Sequence, residues 1–506
     1  MSRRLPDALL GTFGEFVGAH LGLHFPPERA GDLRRGLDSA AREFGFDEPE
    51  PCARWLLART LSRDQIEILA AHLTVGETYF FRDRRVFEEL ETHVFPELIR
   101  QRRSGRRLRL WSAACCSGEE PYSLAISLRR VLPDLADWNA TLLGTDLNPR
   151  FLHKAVRGIF TDWSFRETPP GFRESHFARL DDGRWALSPG IRGMVTFAPL
   201  NLAGDPYPSL LNGTNAVDLI LCRNVLFYFT PERALQVIRG LAGCLVDGGW
   251  LVLGPNDAAH LDLPELEPVR FSGAVFHRKV SAESPAGRTR SRAGHRPADP
   301  AEAAIGIRPA PTMATDEMPQ FPMPELSALP VPAGEPERES GQAGEAEPAM
   351  SGSVPDGLSR DGAEVSGLLQ TARAFANQGR LDAALDACDR ALAADRMNAA
   401  AHHLRASILH ELGNPREASG AFRRALYLEP GFVPAHLGLG QLARAQGRFP
   451  EARRHFGNAL ALVQARPAEE ILPEADGLTA GRLAEIIEIL RGTETAAPAG
   501  TGLATA

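Results

Sequence analysis

The stretch LRLWSAACCSGEEPYSLAI, residues 108–126, has the form of an apolar strand, a tight turn and a helix. In α/β proteins this arrangement commonly holds a nucleotide beyond the end of the strand. A dinucleotide fingerprint is rich in glycine at the turn, so that backbone N–H groups can approach a pyrophosphate. This turn has one glycine, Gly118, and Glu119 and Glu120 follow it directly. Because two carboxylates repel a pyrophosphate, the stretch predicts a nucleotide-type site for a ligand without one.

Short apolar stretches alternate with helical patterns from Arg106 to about Lys279. This alternation predicts a mostly parallel sheet that is covered by helices. The strand candidates are LRLWSAA, ATLLGTD, MVTFAPLNL, AVDLILCRN and GGWLVLG.

The N-terminal part of the chain carries apolar residues at three- and four-residue steps, which is typical of amphipathic helices. The helical stretches are LLGTFGEFVGAHLGL, AGDLRRGLDSAAREFG and ARWLLARTLSRDQIEILAAHL. We therefore expect a helical domain over residues 1–105 and an α/β domain over residues 106–280.

Residues 281–360 are rich in Pro, Ala, Glu, Gly and Ser and poor in large apolar residues, so we expect a disordered linker there. Helical patterns return after it with a period of 34 residues. Small residues at this period are typical of tetratricopeptide helix–turn–helix repeats, although unrelated Ala-rich helices could share the pattern by coincidence. The positions that keep the period are Gly379, Gly413 and Gly447, then Ala384, Ala418 and Ala452, and finally Ala391, Ala425 and Ala459.

We expect tetratricopeptide repeats over residues 361–465, a capping helix over 466–492 and a disordered tail over 493–506. Repeats of this kind usually offer a concave surface to a protein partner, and the sequence does not identify that partner. No catalytic constellation is evident within them.

The composition of the 506 residues is ordinary for globular domains, with 43% hydrophobic and 24% charged residues. A formal net charge of −8 gives no reason to expect nucleic-acid binding by the whole molecule. The six cysteines lack paired metal spacing, so we expect reduced thiols and no metal site. The chain begins without a signal-peptide core, and no run of eighteen apolar residues follows. These features predict a soluble cytoplasmic protein without membrane insertion.

An acid closes the second predicted strand, ATLLGTD, at Asp146, which lies 28 residues after Gly118. At this position a carboxylate can hydrogen-bond ribose hydroxyls. A ribose without a pyrophosphate favours a nucleoside, and S-adenosylmethionine is the commonest nucleoside cofactor bound in this way. Its α-ammonium and sulfonium would find a charge-assisted partner in Glu119 or Glu120. These acids could instead stabilise the helix N-terminus, and the two roles are compatible.

Further polar residues follow other predicted strands and the loop LTVGETYFFRDRRVF. Each could be a simple turn former, and the aromatic residues of the loop could be core. Their occurrence at successive strand ends favours a shared crevice. The candidates are Asn201, Arg223, Asn224 and Tyr228 at strand ends and Thr78 and Arg82 in the loop.

The combination LTVGETYFFRD, LRLWSAACCSGEEPYSLAI, LLGTDLNP, AVRGIF, NL, CRNVLFYF and GGWLVLGPND resembles the chemotaxis-receptor glutamate methyltransferases, the CheR family, over roughly residues 10–280. The repeats look like the tetratricopeptide-bearing branch that includes WspC-like proteins. The resemblance implies a Rossmann-like α/β methyltransferase domain with a helical N-terminal domain, a small β subdomain inserted at about residues 160–190, and C-terminal all-α repeats. It also implies S-adenosylmethionine as the cofactor and a methyl-accepting chemoreceptor as the protein substrate.

The resemblance assigns roles to the candidate residues. Tyr228 matches a tyrosine near the transferred methyl group, and we expect Arg82 to orient the crevice. The implied cofactor contacts are Thr78, Arg82, one of Glu119 and Glu120, Asp146, Asn201, Leu202, Arg223 and Asn224.

The sequence departs from the family in two places. Gly76 stands where the family usually has Asn, which removes or replaces one polar cofactor contact. Pro255, Asn256 and Asp257 stand where the family typically has a Ser-Glu pair. A degenerate methyltransferase that acts as a scaffold is therefore an alternative function, as is methylation of RNA or a small molecule.

The basic run RQRRSGRRLR, residues 100–109, also has two interpretations. It could be a solvated face, or it could steer acidic receptor helices towards the enzyme. A nucleic-acid site is less favoured, because aromatic residues are not interleaved with the arginines.

Overall fold

The computed structural model describes residues 5–255, 257, 263–272, 274–280, 358–472 and 475–492. Most of the predicted linker, residues 281–357, and the predicted tail, residues 493–506, lie outside the described residues. Within the described residues, no helix has both the length and the apolar character that a membrane span requires.

The N-terminal helices are α1 (Asp7–Leu21), α2 (Ala30–Glu43), α3 (Pro49–Leu57) and α4 (Arg63–Leu73). They pack around a shared set of buried leucine, alanine and phenylalanine side chains. The third predicted helical stretch is divided between α3 and α4, because Ser62 caps α4. The Ser62 hydroxyl accepts the backbone N–H of Gln65 at 3.4 Å, and the Gln65 side chain accepts the N–H of Ser62 at 2.9 Å. This Ser-x-x-Gln capping box was readable in the sequence.

The remaining elements up to residue 280 form an α/β domain. Its helices are α5 (Arg84–Glu89), α6 (Phe95–Arg102), α7 (Glu119–Val131), α8 (Pro149–Arg157), α9 (Phe172–His176), α10 (Pro189–Arg192) and α11 (Pro231–Cys244). Its strands are β1 (Arg107–Ala113), β2 (Asn139–Asp146), β3 (Ile159–Phe160), β4 (Phe177–Arg179), β5 (Trp185–Leu187), β6 (Val195–Pro199), β7 (Val217–Cys222), β8 (Leu245–Leu253), β9 (Leu266–Phe271) and β10 (Ala274–Lys279).

The main sheet has seven strands in the order β6-β2-β1-β7-β8-β10-β9. The first five in this order are parallel, as the apolar stretches predicted. β10 pairs antiparallel with β8 and β9, and this edge of the sheet was not predicted. The chain moves outward from β1 to β2 and β6, and then returns to the other side of β1 with β7. The order therefore reverses between β1 and β7.

A second sheet, in the order β3-β5-β4, lies within the predicted insertion. Its core is aromatic: the ring of Phe80 stacks on Phe165 at 5.2 Å between centroids and meets Phe177 edge-on at 5.1 Å. Phe80 is fully buried and Phe81 is 8% exposed. Phe80 and Phe81 are therefore core residues that attach the small sheet to the main domain, whereas Tyr79 is half-buried.

The C-terminal helices are α12 (Leu358–Asn377), α13 (Leu381–Ala394), α14 (Ala399–Glu411), α15 (Pro415–Leu428), α16 (Val433–Ala445), α17 (Phe449–Gln464) and α18 (Ala480–Gly492). Gly379, Gly413 and Gly447 follow alternate helices with φ of +75°, +78° and +72°, a conformation that favours glycine. The alanines of the 34-residue period are fully buried at the helix contacts. The predicted helix–turn–helix repeats are thus confirmed, and α12 begins inside the segment predicted as linker.

The repeats contact the α/β domain through Glu411, at the end of α14. Its carboxylate contacts Arg107 at 2.9 Å and Arg109 at 2.7 Å, and it accepts a hydrogen bond from Asn215 at 2.9 Å. Arg102, from the same basic run, contacts buried Asp218 at 2.6 Å. We expected this basic run to be a solvated face or to steer acidic receptor helices. Arg102, Arg107 and Arg109 do neither, because they form ion pairs within the chain itself.

Candidate cofactor site

A cleft opens at the carboxyl ends of β1 and β7, where the strand order reverses. It contains about 960 Å³ of empty space, part of which is open to solvent. Open parallel sheets bind ligands at this position, because the loops diverge to either side of the reversal. Leu21, Leu23 and Leu73 from the N-terminal helical domain line the cleft as well. The site is therefore built by both parts of the chain.

Nine of the ten predicted site residues line this cleft, and Glu119 does not. They come from the loop before α5, from the first turn of α7, from the end of β2, and from the segments that follow β6 and β7. The nine residues are Thr78, Arg82, Glu120, Asp146, Asn201, Leu202, Arg223, Asn224 and Tyr228.

Asp146 ends β2 and connects this strand to the turn after β1. Its carboxylate accepts the backbone N–H of Cys116 at 2.8 Å and that of Asn148 at 2.8 Å. Burial raises the pKa of Asp146 to about 6, although the backbone hydrogen bonds act in the opposite direction. An ionised carboxylate has about four lone-pair sites, so it can accept a ligand hydroxyl in addition to backbone groups. Asp146 therefore shapes the turn beside it and offers a carboxylate to the cleft.

The turn between β1 and α7 has an unusual backbone. Ala114 and Cys116 have φ of +59° and +51°, a region that residues with a side chain rarely adopt. Gly118 has φ of +96°, and a Cβ added to it would lie 2.8 Å from the Cβ of Ala155. The single glycine of the turn is therefore required by its backbone conformation and by the close contact with α8.

The two glutamates of the turn have different surroundings. Glu119 is 3% exposed, and its carboxylate accepts hydrogen bonds from Ser117 at 2.9 Å and Ser164 at 2.8 Å. Burial raises the pKa of Glu119, and the two serines oppose this shift. Glu120 lines the cleft and accepts a hydrogen bond from the Arg223 guanidinium at 3.1 Å. Glu119 thus holds the inserted subdomain, whereas Glu120 faces the ligand space.

Arg223 follows β7, and its side chain is 1% exposed. The guanidinium contacts the carboxylates of Glu120 and Asp83 and donates to the carbonyl of Arg82 at 2.9 Å. Its Nε is buried and has no hydrogen-bond partner among the described residues. Arg223 therefore fixes Glu120 against the loop that carries Arg82.

Asn224 has a left-handed backbone with φ of +59°, and Asp257 stabilises the turn around it. The Asp257 carboxylate accepts the N–H groups of Asn224 at 2.6 Å, Leu226 at 3.0 Å and Gly254 at 3.2 Å. The side-chain oxygen of Asn224 is buried without a partner in the described part of the chain. A buried amide oxygen in a cleft needs a donor, and a ligand can supply one. Asp257 was not predicted for this role, because it lies where the sequence departs from the family.

Tyr228 and Arg82 lie on different segments of the cleft wall. The carbonyl of Tyr228 accepts the N–H of His24 at 2.7 Å, and Arg29 lies over its ring at 4.8 Å. Burial raises the pKa of the Tyr228 phenol, so the hydroxyl is a hydrogen-bond donor near neutral pH. Arg82 donates to the carbonyl of Glu77 at 2.6 Å. The N-terminal domain and the loop before α5 thus hold the two side chains predicted for catalysis.

Gly76, where the family usually has Asn, faces the ring of Phe151. A Cβ at Gly76 would lie 2.7 Å from Cζ and 2.9 Å from Cε1 of that ring. Phe151 also lines the cleft, although no sequence motif marked it. The wall of the cleft beside Gly76 is therefore aromatic.

The character of the cleft fits S-adenosylmethionine. Asp146 and Glu120 offer carboxylates to hydroxyl and ammonium groups, and Asn224 offers an unpaired amide oxygen. Leu200, Leu202 and other apolar side chains supply surface for a base. In the described part of the chain, no cluster of three or more His, Cys, Asp or Glu could hold a metal ion, and all six cysteines are buried free thiols.

Residues 76–271 match the family described as CheR methyltransferase, SAM binding domain, and residues 369–431 and 405–470 match the tetratricopeptide repeat. A probable chemotaxis protein methyltransferase of Rhizobium etli is 34% identical over 193 residues, or 37% of this chain and 70% of the relative. Chemotaxis protein methyltransferase 1 of Pseudomonas aeruginosa is 37% identical over 217 residues, or 42% of this chain and 77% of the relative. A probable biofilm formation methyltransferase WspC of Pseudomonas putida is 29% identical over 448 residues, or 87% of this chain and 96% of the relative.

The first two relatives are matched over more than two thirds of their length, and the WspC match extends over most of this chain. The family resemblance predicted from the sequence motifs is confirmed. The chain belongs to the CheR family of S-adenosylmethionine-dependent methyltransferases and carries C-terminal tetratricopeptide repeats.

Proposed function

We propose that this chain transfers a methyl group from S-adenosylmethionine to glutamate side chains of a methyl-accepting chemoreceptor. The observation that carries the proposal is the cleft in which Asp146, Glu120 and Tyr228 meet at the strand-order reversal. The chemotaxis names of the relatives support the receptor as substrate. A cytoplasmic location is part of the proposal.

The cofactor contacts follow from the side chains that line the cleft. Asp146 accepts the ribose hydroxyls, and Glu120, held by Arg223, pairs with the α-ammonium. Asn201 and Leu202 contact the base. Thr78, Arg82 and Asn224 contact the remaining polar groups, and the unpaired oxygen of Asn224 is consistent with such a contact.

S-adenosylmethionine supplies an electrophilic methyl group when it is bound. A receptor glutamate has a reference pKa of about 4.3 and is already ionised at neutral pH, so the reaction needs no general base. The residues that line the cleft include no histidine, as far as the described chain shows. The protein then contributes position and the exclusion of water. In this proposal Arg82 orients the incoming carboxylate, and the Tyr228 hydroxyl donates a hydrogen bond to it.

We further propose a division of labour along the chain. Residues 1–105 and 106–280 form the catalytic part, residues 281–360 connect it to the repeats over 361–465, and residues 466–492 cap the array. The repeats bind a protein partner, which helical arrays of this kind do through their concave surface.

The test uses the full-length protein, S-adenosylmethionine with a labelled methyl group, and the cytoplasmic fragment of a chemoreceptor from the same organism. We expect label in the receptor that is released as methanol in alkali, because carboxyl methyl esters hydrolyse there and N-methyl groups do not. Tyr228→Phe should lower kcat about tenfold or more while the Kd of S-adenosylhomocysteine stays within about twofold.

The control is Tyr427→Phe, the same change at an exposed repeat residue. Alkali-stable label would contradict the glutamate substrate. Cofactor binding without transfer to any receptor of the organism would favour the scaffold alternative.

A further inference from the structure

The segment between β6 and β7 connects the cofactor cleft to the repeats. Its first residues, Asn201 and Leu202, line the cleft. Its later residues contact the C-terminal part of the chain: the Ser209 hydroxyl donates to Asp476 at 2.6 Å, and Leu211 packs against the core beneath α18. One connecting segment therefore contacts both the candidate cofactor cleft and the C-terminal helices.

Asp205 lies in the middle of this segment and binds both Asn201 and Arg482 through its side chain. Its Oδ2 accepts the backbone N–H of Asn201 at 2.6 Å. The same oxygen accepts two hydrogen bonds from the Arg482 guanidinium, from Nε at 3.0 Å and from Nη2 at 2.6 Å. The backbone N–H of Asp205 returns to the carbonyl of Asn201 at 2.9 Å. Asp205 thus fixes the conformation of Asn201 and is itself fixed by a residue of α18.

The ion pair between Asp205 and Arg482 is largely screened from solvent. The side chains of Arg482 and Asp205 are 16% and 17% exposed, and Glu485 on the next turn of α18 also contacts the guanidinium. Hydrogen bonds between charged groups in such surroundings are stronger than those between exposed side chains. In addition, α18 packs directly against β6, the strand that leads into Asn201. A displacement of α18 would therefore change the support of the cofactor loop.

We infer that Arg482 is a positioning residue for the cofactor: through Asp205 it holds the Asn201–Leu202 loop in the conformation that binds the nucleoside. This inference rests on the cofactor placement proposed above. The C-terminal helices would then also influence cofactor affinity, because a partner that displaces α18 would change the affinity without contacting the cleft.

The test compares full-length variants by calorimetric titration with S-adenosylhomocysteine and by the kinetics of methyl transfer. Arg482→Gln should raise the Kd and the KM for S-adenosylmethionine about tenfold, within the range typical of coupling between sites, while kcat at saturating cofactor stays within about twofold. Arg482→Lys should restore part of the affinity, since an ammonium can still reach Asp205. Arg491→Gln, an exposed arginine of the same helix, should bind like the wild type.

The variant Asp205→Asn gives an independent measurement if Arg482→Gln does not fold. It should weaken binding to a similar degree, and the double variant should be no weaker than either single one, because both remove the same contact. Wild-type affinity in folded Arg482→Gln or Asp205→Asn, together with lost affinity in Asp146→Ala, would overturn this inference alone. Wild-type affinity in Asp146→Ala would overturn the cofactor placement and this inference with it.

Discussion

The carboxylate of Asp146 accepts the backbone N–H of Cys116 at 2.8 Å, so the acid at the end of β2 also holds the turn after β1. That turn has a left-handed backbone at Cys116, and Asp146 is the side chain that stabilises it. The residue that we propose for the ribose is therefore also part of the wall of the cleft.

The first prediction concerns the pH dependence of cofactor binding. Burial raises the pKa of Asp146 to about 6, and only the ionised carboxylate accepts both ribose hydroxyls. A proton bound below pH 6 must leave when the ligand binds, so the affinity for S-adenosylhomocysteine should fall as the pH decreases from 7 to 5. Calorimetric titration at several pH values measures this.

The matched variant is Asp146→Asn, which does not titrate. We expect it to bind about 10- to 100-fold more weakly at pH 7, the cost of losing a charge-assisted hydrogen bond, with little change between pH 5 and 7. Parallel curves for wild type and variant would show that Asp146 does not cause the pH dependence of the affinity.

The second prediction separates the two glutamates of the turn. Glu120→Gln should weaken S-adenosylhomocysteine binding about tenfold or more, because the α-ammonium loses its ionic partner. Glu119→Gln should change the affinity by less than about twofold, since its carboxylate points to Ser117 and Ser164 and not into the cleft. Calorimetry on both variants decides the assignment. A larger effect at Glu119 would mean that the roles are reversed.

The third prediction concerns Gly76 and Phe151. Gly76→Asn should lower the free energy of unfolding by about 1–3 kcal/mol, because the new Cβ overlaps the ring of Phe151. In a Phe151→Ala background the same Gly76→Asn change should cost less, since the ring that it meets is then gone. Gly11→Asn is the control, because a Cβ at Gly11 meets no atom within 4 Å. Urea unfolding measures all of these variants, and equal stability of Gly76→Asn and wild type would refute the steric explanation.

The fourth prediction concerns the contact between the repeats and the sheet. Burial acts to raise the pKa of Glu411, but Arg109 and Arg107 outweigh it and lower the pKa. A lowered pKa means that the contact stabilises the fold above the unfolded value of about 4.3 and that this contribution is lost as the pH falls below it. Glu411→Gln leaves the buried Arg109 and the half-buried Arg107 without their carboxylate, which should cost about 3–5 kcal/mol at pH 7.

Thermal and urea unfolding of Glu411→Gln and of Glu429→Gln, an exposed glutamate of the repeats, provide the comparison. The difference between wild type and Glu411→Gln should shrink towards pH 3. A difference of less than about 1 kcal/mol at pH 7 would mean that the carboxylate does not hold the two domains together.

The sequence by itself determined the order of the helical, α/β and repeat domains. It also determined that the candidate cofactor site lies at the carboxyl ends of the parallel strands. Apolar stretches that alternate with helical patterns predict a mostly parallel sheet, and parallel strands bring their carboxyl ends to one edge. For this reason Asp146, Asn201 and Arg223 could be assigned to one crevice before their positions were known. The repeats were equally readable, because Gly379 and its equivalents must adopt a left-handed turn at every period.

Only the tertiary structure decided which partners these side chains meet. Glu119 and Glu120 are adjacent in the sequence, yet successive residues of a helix point in different directions, so one is buried against Ser164 and the other lines the cleft. The contacts of Glu411 and of Arg482 join segments more than 190 residues apart, and no local pattern marks them. A periodic pattern specifies which face of an element is buried. The partner that covers this face, and the charge that it presents, arise only when the elements pack.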